Sequence, residues 1–523
     1  MYDLKPFWFW CQKVLPLVYD DSLSYYEVLC KVMNYMNKII ENNMEIMQAI
    51  AELGGDVSLE LDYVTPEMYG AKGDGVQDDY EAVQAAFRSG KNVCFMKDKT
   101  YRITKPIYIE PEYNSYRSCF CKTINNTEYY SIKADFDPEN GAYDTIFFVS
   151  ATAYTFYNVS VLGRNQNPKT IPTSDYTPPS WMDSYKFLTV FKLYRNAALT
   201  HNADMDFQMI NCNTSNAKVV CDFTGRGCKI DGHVDVGSNS FLKINWEGDN
   251  ASGAYHDDAY GQRAVSVTNC RFHAEQSASS LINVQSGNVF AFRFLDNLID
   301  RGYNNFINVD SDIDGWLISN NVVVGEREGS NGSCLIWFGG DVSNLSITNN
   351  KFINGIERQD TAAFKPNNLI QFGKTSGEHS NVLIANNTVN KLFNGNLIYV
   401  PSGTTFTDLN VSGNNIGIIS DLSAHRALVR GSGLTLNKSV VNNNSLGSYT
   451  QGSGQSGNRV CAVYSASGLT MAHCKVMGNA LGENFSYMVD STGTESITYS
   501  IVDLQSYTTA SNDDNTSAEP MIP

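Results

Sequence analysis

Charge is what this chain has least of. Asp, Glu, Lys and Arg make up 18% of its 523 residues, and the acids outnumber the bases 55 to 38, for a formal net charge of −17. No basic stripe is present, which argues against a nucleic-acid partner, because phosphate binding needs clustered cations. The same deficit disfavours broad attraction to anionic cell walls, so an anionic ligand would need local arginines. The twelve cysteines show no paired metal-ligand spacing. With Cys119 and Cys121 as the only close pair, reduced buried thiols are expected rather than disulfides or zinc. No stretch approaches the length of a membrane-spanning helix, so no membrane insertion is expected. The aromatic opening FWFWCQKVLPLVY lacks a basic n-region and a small-residue cleavage site, so no signal peptide is read there and synthesis in the cytoplasm is expected.

What the chain does have is a repeat. A short alternating apolar run followed by a polar corner recurs as VSVTNC ending at Cys270, FRFLDN at Asn297, LISNN at Asn321 and LSITNN at Asn350. It continues as VLIANN at Asn387, LNVSGNN at Asn415, SVVNNN at Asn444 and CKVMGN at Asn479. The spacings are 27, 24, 29, 37, 28, 29 and 35 residues. Periods in this range, with two-residue alternation inside each unit, mark strands stacked on their counterparts one repeat away. No unit buries its apolar face alone. An Asn at a fixed corner can hydrogen-bond to its copies above and below, since stacked strands lie about 4.8 Å apart. The fold class expected is therefore all-β, a parallel β-helix, with Cys212 and Cys270 as small substitutes in the same ladder.

Each repeat carries a second strand: LINVQ at Leu281, FINVD at Phe306, LIWFG at Leu335, LIQFG at Leu369 and LIYVP at Leu397. Ile282/Val284, Ile307/Val309, Ile336/Phe338, Ile370/Phe372 and Ile398/Val400 share one parity and should point inward. The other parity forms an outward column of Asn283, Asn308, Trp337, Gln371 and Tyr399, with Arg430 and Tyr464 on later turns. Aromatic rings and amides in a row suit stacking on sugars and hydrogen bonding to them. They equally suit covering the sheet or meeting another subunit.

Before the repeats, Leu29, Val32, Met36, Ile39, Asn43, Ile46, Ile50 and Leu53 are spaced as a heptad seam with one polar core position. Such a seam predicts a short parallel coiled coil, for which a trimer suits the composition, the alternative being one amphipathic helix packed on its own chain. Next comes MYGAKGDGVQDDYEAVQAAF from Met68, then KNVCFMKDKTYRIT from Lys91. Gly70, Gly73 and Gly75 permit tight turns, and Asp78 or Asp79 can cap a helix whose apolar face is Val83, Ala86 and Phe87. That helix would plug the open end of the solenoid. Asp74, Asp78 and Asp79 are read as structural, and the glycines as no nucleotide loop, because no Lys-Ser/Thr ending follows.

Those two segments resemble the lead-in motif of the pectate-lyase-like superfamily of right-handed β-helix proteins, common among bacteriophage tailspikes and extracellular polysaccharide enzymes. The opening FWFWCQKVLPLVYDDSLSYYEVLCKVMNYMNKIIENN is similar to the N-terminal segment of tail proteins from phages of Gram-positive and gut bacteria. Together the resemblances cover about the first hundred residues. They imply a virion-attachment segment at 1–56, a β-helix lead-in and capping helix at 57–104, a right-handed β-helix body at 105–500 and a tail at 501–523. They also imply a homotrimer in the virion tail, joined to tail, baseplate or collar proteins through residues 1–56, that binds a bacterial surface polysaccharide.

Glycoside cleavage uses two carboxyl groups, one as acid and one as base or nucleophile. Counting from the Asn corner, Glu275 and Glu326 fall at the same offset two rungs apart, with Asp300 and Arg301 between them and His273 level with Asp300. A second candidate is the polar insertion NWEGDNASGAYHDDAY after Ile244, which holds Glu247, Asp257 and Asp258. Asp310 and Asp312 lie where they can face it. The catalytic candidates are thus Glu247, Asp257, Asp258, Glu275, Asp300, Asp310 and Glu326. The substrate-binding candidates are Arg301, Asn283, Asn308, Trp337, Gln371 and Tyr399. Hydrolysis needs no metal, and none is expected. A polysaccharide lyase would instead use Ca2+ and an arginine base, among Arg263, Arg271, Arg293 and Arg301. The function expected is a tailspike that binds and depolymerises its glycan. The alternatives are a non-enzymatic adhesin and a bacterial pectate-lyase-like lyase.

Overall fold

The computed structural model describes residues 62–121, 130–137, 143–167, 187–193, 206–223, 227–244, 262–273, 280–285, 289–300, 305–325, 334–354, 368–393, 395–422, 426–451, 460–481 and 487–502. The heptad seam, the attachment segment and the chain beyond 502 lie outside the described residues.

Alternation of β-branched and aromatic residues with polar ones gives short strands, and every named strand pairs in parallel with a counterpart one repeat away. Among the described residues these strands sort into three sheets of 21, 14 and 13 members, called here sheets I, II and III. One turn runs Arg293–Leu295 in sheet I, Leu298–Asp300 in sheet II and Asn305–Val309 in sheet III, then returns to sheet I at Ile313–Asp314. The body is a parallel β-helix, as the repeat predicts. A continuous apolar core fills it, from Val83 of the lead-in helix to Val476 near the far end. All ten cysteines among the described residues are buried and unbridged. Burial pushes the Cys212 and Cys270 thiols up to about 12, which makes them fillers rather than nucleophiles.

The corner between sheets I and II explains the paired polar residues. Its first position is left-handed, with φ of 51° to 65° at Asn211, Gly232, Asn269, Asp296, Asn320, Asn349, Asn386, Gly413, Asn443 and Gly478. Asn, Asp and Gly tolerate that conformation. The next position is the buried ladder: Asn297, Asn321, Asn350, Asn387, Asn414, Asn444 and Asn479. From Asn297 to Asn444, each backbone N–H donates to the Oδ1 of the Asn one rung on, at 3.0 to 3.1 Å. Each Nδ2 donates to the same oxygen at 2.9 to 3.0 Å. It also donates to a strand carbonyl, as Asn350 does to Ile318 O at 2.9 Å.

Two details differ from expectation. The ladder residue is Asn414, not Asn415, because Gly413 takes the left-handed position and Asn415 opens the next strand, exposed. His233 also stands in the column between Cys212 and Cys270, fully buried, with Nε2 2.9 Å from the Thr214 hydroxyl.

The expected parity in sheet III holds for Ile282/Val284 and their copies, all buried. The second residue of each strand breaks it. Leu281, Phe306, Leu335, Leu369 and Leu397 have the outward parity yet are buried, and Phe306 meets the core ring of Phe294 edge-on at 5.1 Å. The pairing register skips this position, running Ser280↔Asn305 and then Ile282↔Ile307, so alternation starts one residue later.

The helix expected from the lead-in motif spans Tyr80–Phe87 and buries Ala82, Val83, Gln84, Ala86 and Phe87. Asp79 stands at its N-cap position but makes no side-chain cap bond. Its buried carboxylate instead accepts the amides of Lys72 and Gly73 at 2.8 and 3.0 Å, which ties down the glycine turn. Asp78 accepts from Tyr80 N, and Asp74 from Val76 N and Gln77 N, so all three acids are structural. Gln84 bonds both backbone groups of Tyr108 at 2.8 and 2.9 Å. Its amide stands in for a further strand at the free edge of sheet III, which starts at Ile107–Ile109.

Candidate functional site

Sheet III carries the outward column as predicted. The pairing runs Asn283↔Asn308↔Trp337↔Gln371↔Tyr399↔Arg430↔Tyr464 without a slip at any of these positions. Strand pleating places every second residue on the outer face, and parallel stacking lines those residues up one above another. From Asn283 to Arg430 they are half-buried. Asn308 Nδ2 donates to Asn283 Oδ1 at 3.2 Å, and Asn368 Nδ2 donates to Gln371 Oε1 at 3.2 Å, which orients the amides. The Arg430 guanidinium lies 5.9 Å from the Tyr399 ring and 5.8 Å from the Tyr464 ring, within cation–π range of both. Tyr464 departs from the expectation of an open aromatic face. It is only 4% exposed and packs with Ala427 and Cys461, so it supports Arg430 rather than presenting a ring.

Trp337 is held in a way the sequence did not announce. A Cβ added at Gly373, on the next rung, would lie 2.2 Å from Trp337 Cζ2 and 2.3 Å from Cη2. One added at Gly339, on its own rung, would lie 3.1 Å from Nε1. The indole therefore lies down along the sheet over two glycines, one face against backbone. The signal is present in LIWFGG and LIQFGK, where Gly follows the outward residue by two positions. Seeing it requires knowing which way the ring leans.

Carboxylates line the corner where sheet III strands return to sheet I. Asp310 and Asp312 are exposed there, and Asp341 sits one rung on. Asp310 Oδ2 accepts from Asn308 Nδ2 at 3.4 Å, and the Asp310 Cα lies 3.3 Å from the position a Gly339 Cβ would take, beside the indole. Asp312 Oδ1 accepts the Asp341 amide at 2.7 Å. Asp341 is engaged at both oxygens: Oδ2 takes the Lys374 ammonium and Oδ1 the Glu378 amide at 3.0 Å. Partial burial alone would raise the Asp341 pKa, but Lys374 and the Glu378 amide outweigh it and hold the carboxyl below its usual range. The hydrogen bond to Asp341 in turn raises Lys374. Lys374 Nζ is also 4.0 Å from Asp312. Beneath this corner, His379 lies between the rings of Phe372 and Phe406, and burial pushes it down to about 4, so it is neutral. Its Nδ1 accepts Val342 N–H at 3.2 Å. Asp341, Lys374 and His379 were not anticipated, because their link joins rungs more than thirty residues apart with no local motif.

The second set of candidates is on another face. Asp300 ends a sheet II strand, level with His273 on one side and Val324 on the other. Asp300 Oδ2 is approached by His273 Nδ1 at 3.4 Å and by Arg271 Nη2 at 3.9 Å. Asp300, at the end of a sheet II strand, and Asp310, just past a sheet III strand, therefore lie on different faces and form no acid pair. Glu275, Glu326 and Arg301 lie outside the described residues, as do Glu247, Asp257 and Asp258. The insertion that holds the last three leaves sheet III at Ile244, level with Val284 and Val309 on the next two rungs. It is thus rooted at the same corner as Asp310, two rungs away.

No family model matches the chain. A capsule K30/K69-specific depolymerase of Klebsiella phage K64-1 is 43% identical over 60 residues, 11% of this chain and 8% of that protein. The match thus spans under a tenth of that relative. Among solved structures, the pneumococcal surface adhesin PfbA aligns at 13% identity over 76% of this chain and 93% of its own, with a TM-score of 0.41. DFA-IIIase of Arthrobacter chlorophenolicus A6 aligns at 11% over 78% and 93%, at 0.42. The Dettilon tailspike protein aligns at 11% over 80% and 68%, at 0.38.

Proposed function

We propose that this protein is a phage tailspike or receptor-binding tail protein that binds a bacterial surface polysaccharide on sheet III and depolymerises it by hydrolysis. The observation that carries the reading is the outward column of amides and rings centred on Trp337, whose indole the two glycines hold flat. A ring fixed in this way presents one π-face at little entropic cost, which suits the apolar face of a pyranose. The amides of Asn283, Asn308 and Gln371 suit its hydroxyls. The sequence match to a phage capsule depolymerase supports the same substrate class.

In this reading cleavage occurs at the III–I corner. Asp310 is the carboxylate beside the platform that is least tied, so it serves as acid or base. The acids of the 245–261 insertion, rooted two rungs away, supply the partner. Asp341 is held ionised by Lys374 and is no proton donor. Residues 1–56 serve as the attachment to the virion tail, and assembly is as a homotrimer. Among the described residues no helix is long and apolar enough to cross a membrane.

A second reading, a non-enzymatic adhesin, has its own support. Of the three acids at the corner, Asp341 and Asp312 are occupied by structural bonds. A lyase would sit instead on sheet II, where Arg271 approaches Asp300, and would call for Ca2+.

Incubation with polysaccharide from candidate host cells separates these readings, with chain length followed by size-exclusion chromatography and unsaturated ends by ultraviolet absorbance. Shortening without new unsaturation is the expected result. Shortening with it would establish the lyase. A glycan that binds and stays intact would establish the adhesin.

A further inference from the structure

The outward column of sheet III changes character along its length. From Asn283 to Tyr399, five successive rungs present amides and rings and no ionised group. At about 4.8 Å per rung this uncharged stretch is about 19 Å long. On one side it is bounded by Lys243, paired with Asp222 at 3.8 Å, and on the other by Arg430. Its centre is Trp337. The rim beside Trp337 is not neutral. Among the described residues it carries the carboxylates of Asp310, Asp312 and Asp341 against the single ammonium of Lys374, which Asp341 and Asp312 already engage. His379 beneath adds no positive charge, since its imidazole is buried between two phenyl rings.

Among the described residues, a sugar carboxylate set on the indole would find no free cation and would stand close to uncompensated negative charge. A neutral sugar would meet a ring, amides and hydrogen-bond acceptors. Resting on the glycan-binding reading above, we propose that the segment of polysaccharide held over Asn308, Trp337 and Gln371 consists of sugars without a carboxylate, and that the acidic rim rejects uronates at this position. The site then selects by charge as well as by shape, with repulsion as the discriminating element. Gly373 is a positioning residue in this scheme, because a side chain there would collide with the indole where it crosses onto the next rung.

The probes are oligosaccharides prepared from bacterial capsular polysaccharides with and without uronic acid, together with the carboxyl-reduced form of each acidic one. The reduced form keeps linkage and stereochemistry and loses only the charge. Titration at low ionic strength should show the full-length protein binding the reduced form at least about fivefold more tightly than its acidic parent, a difference that shrinks as salt is added. Asp310→Asn combined with Asp312→Asn should remove most of that preference. Trp337→Ala should lower affinity for the neutral forms about tenfold or more. Gly373→Ala should do likewise in the native background and have little further effect beside Trp337→Ala, a non-additivity that a general structural defect would not produce.

Equal or tighter binding of the acidic parent would overturn the proposal, as would a preference that survives both Asp substitutions. If glycans bind but Trp337→Ala changes nothing, this inference fails while a glycan-binding function stands. If no glycan in the panel binds, both fall together.

Discussion

Two columns run through the middle of this molecule under the same stacking rule, and they differ in what they repeat. At the I–II corner the column is Asn on seven successive rungs, buried, each side chain bonded to its copies. On the outer face of sheet III the column is in equally good register, yet no two adjacent rungs between Asn308 and Tyr464 carry the same residue. The ladder repeats because a buried amide needs partners above and below, and an identical amide supplies both donor and acceptor. The outer column has no such demand, so stacking leaves its residues free to vary. Where a solenoid repeats itself it is holding together. Where it keeps register but changes residue, as on the outer face of sheet III, the proposed function has it shaped for a ligand.

This contrast can be broken from either side. Asn350→Ala would strand Asn321 N–H and Ile318 O inside the protein. It should cost about 3 kcal/mol of stability by denaturant titration, at about 1 to 3 kcal/mol for each buried group left unpaired, and leave glycan affinity per folded molecule unchanged. Trp337→Ala should do the reverse, with glycan affinity falling by about 1.4 kcal/mol or more and stability changing by less. If the ladder substitution were harmless, or the Trp337 substitution unfolded the protein, the division of labour would be wrong.

A third test extends the ladder. Burial pushes His233 down to about 3, so its folded pKa lies below the unfolded value of about 6.5. The unfolded chain then takes up a proton that the folded one refuses, and the stability present above pH 6.5 is lost as pH falls from there toward 3. Its surroundings are polar but fixed: Thr214 Oγ1 lies 2.9 Å from Nε2 and donates at 2.6 Å to Asp235, which Ser238 also holds. His233→Asn, which places the usual ladder residue there, should flatten the pH dependence of unfolding between pH 6 and 5 by about 1 kcal/mol. An unchanged slope would mean that His233 is not what titrates.

The smallest effect belongs to the rim. Asp341 has its pKa lowered by Lys374, so this pair adds stability above the unfolded carboxylate value near 3.8 and loses it as pH falls through the lower folded value. Because both side chains are partly exposed, Asp341→Asn should cost under about 1 kcal/mol at pH 7 and less in high salt. A larger loss would make Asp341 part of the framework rather than the rim.

Most of the fold was legible because its physics is periodic. The Asn corner and the alternating strands announce stacking rungs, and the outward residues of sheet III follow from parity. The errors came where one residue departs from the period. In SGNN, a Gly in the left-handed position shifts the ladder from Asn415 to Asn414. At Leu281 and Phe306 the pairing register skips a position and parity fails. At the site, Trp337 was visible as an outward ring, but its glycine cradle and the Asp312/Asp341/Lys374 cluster were not, since each joins residues from neighbouring turns. Asp300 ends one strand of a turn and Asp310 follows the next, and only the three-sheet section reveals that they face different ways.

The most direct test of the account is a crystal structure of the protein with an oligosaccharide cut from the glycan it binds. A sugar ring is expected stacked on Trp337, with the chain crossing the rungs over Asn308 and Gln371. A glycan seated on sheet II beside Asp300 and Arg271, with Trp337 uncovered, would contradict it.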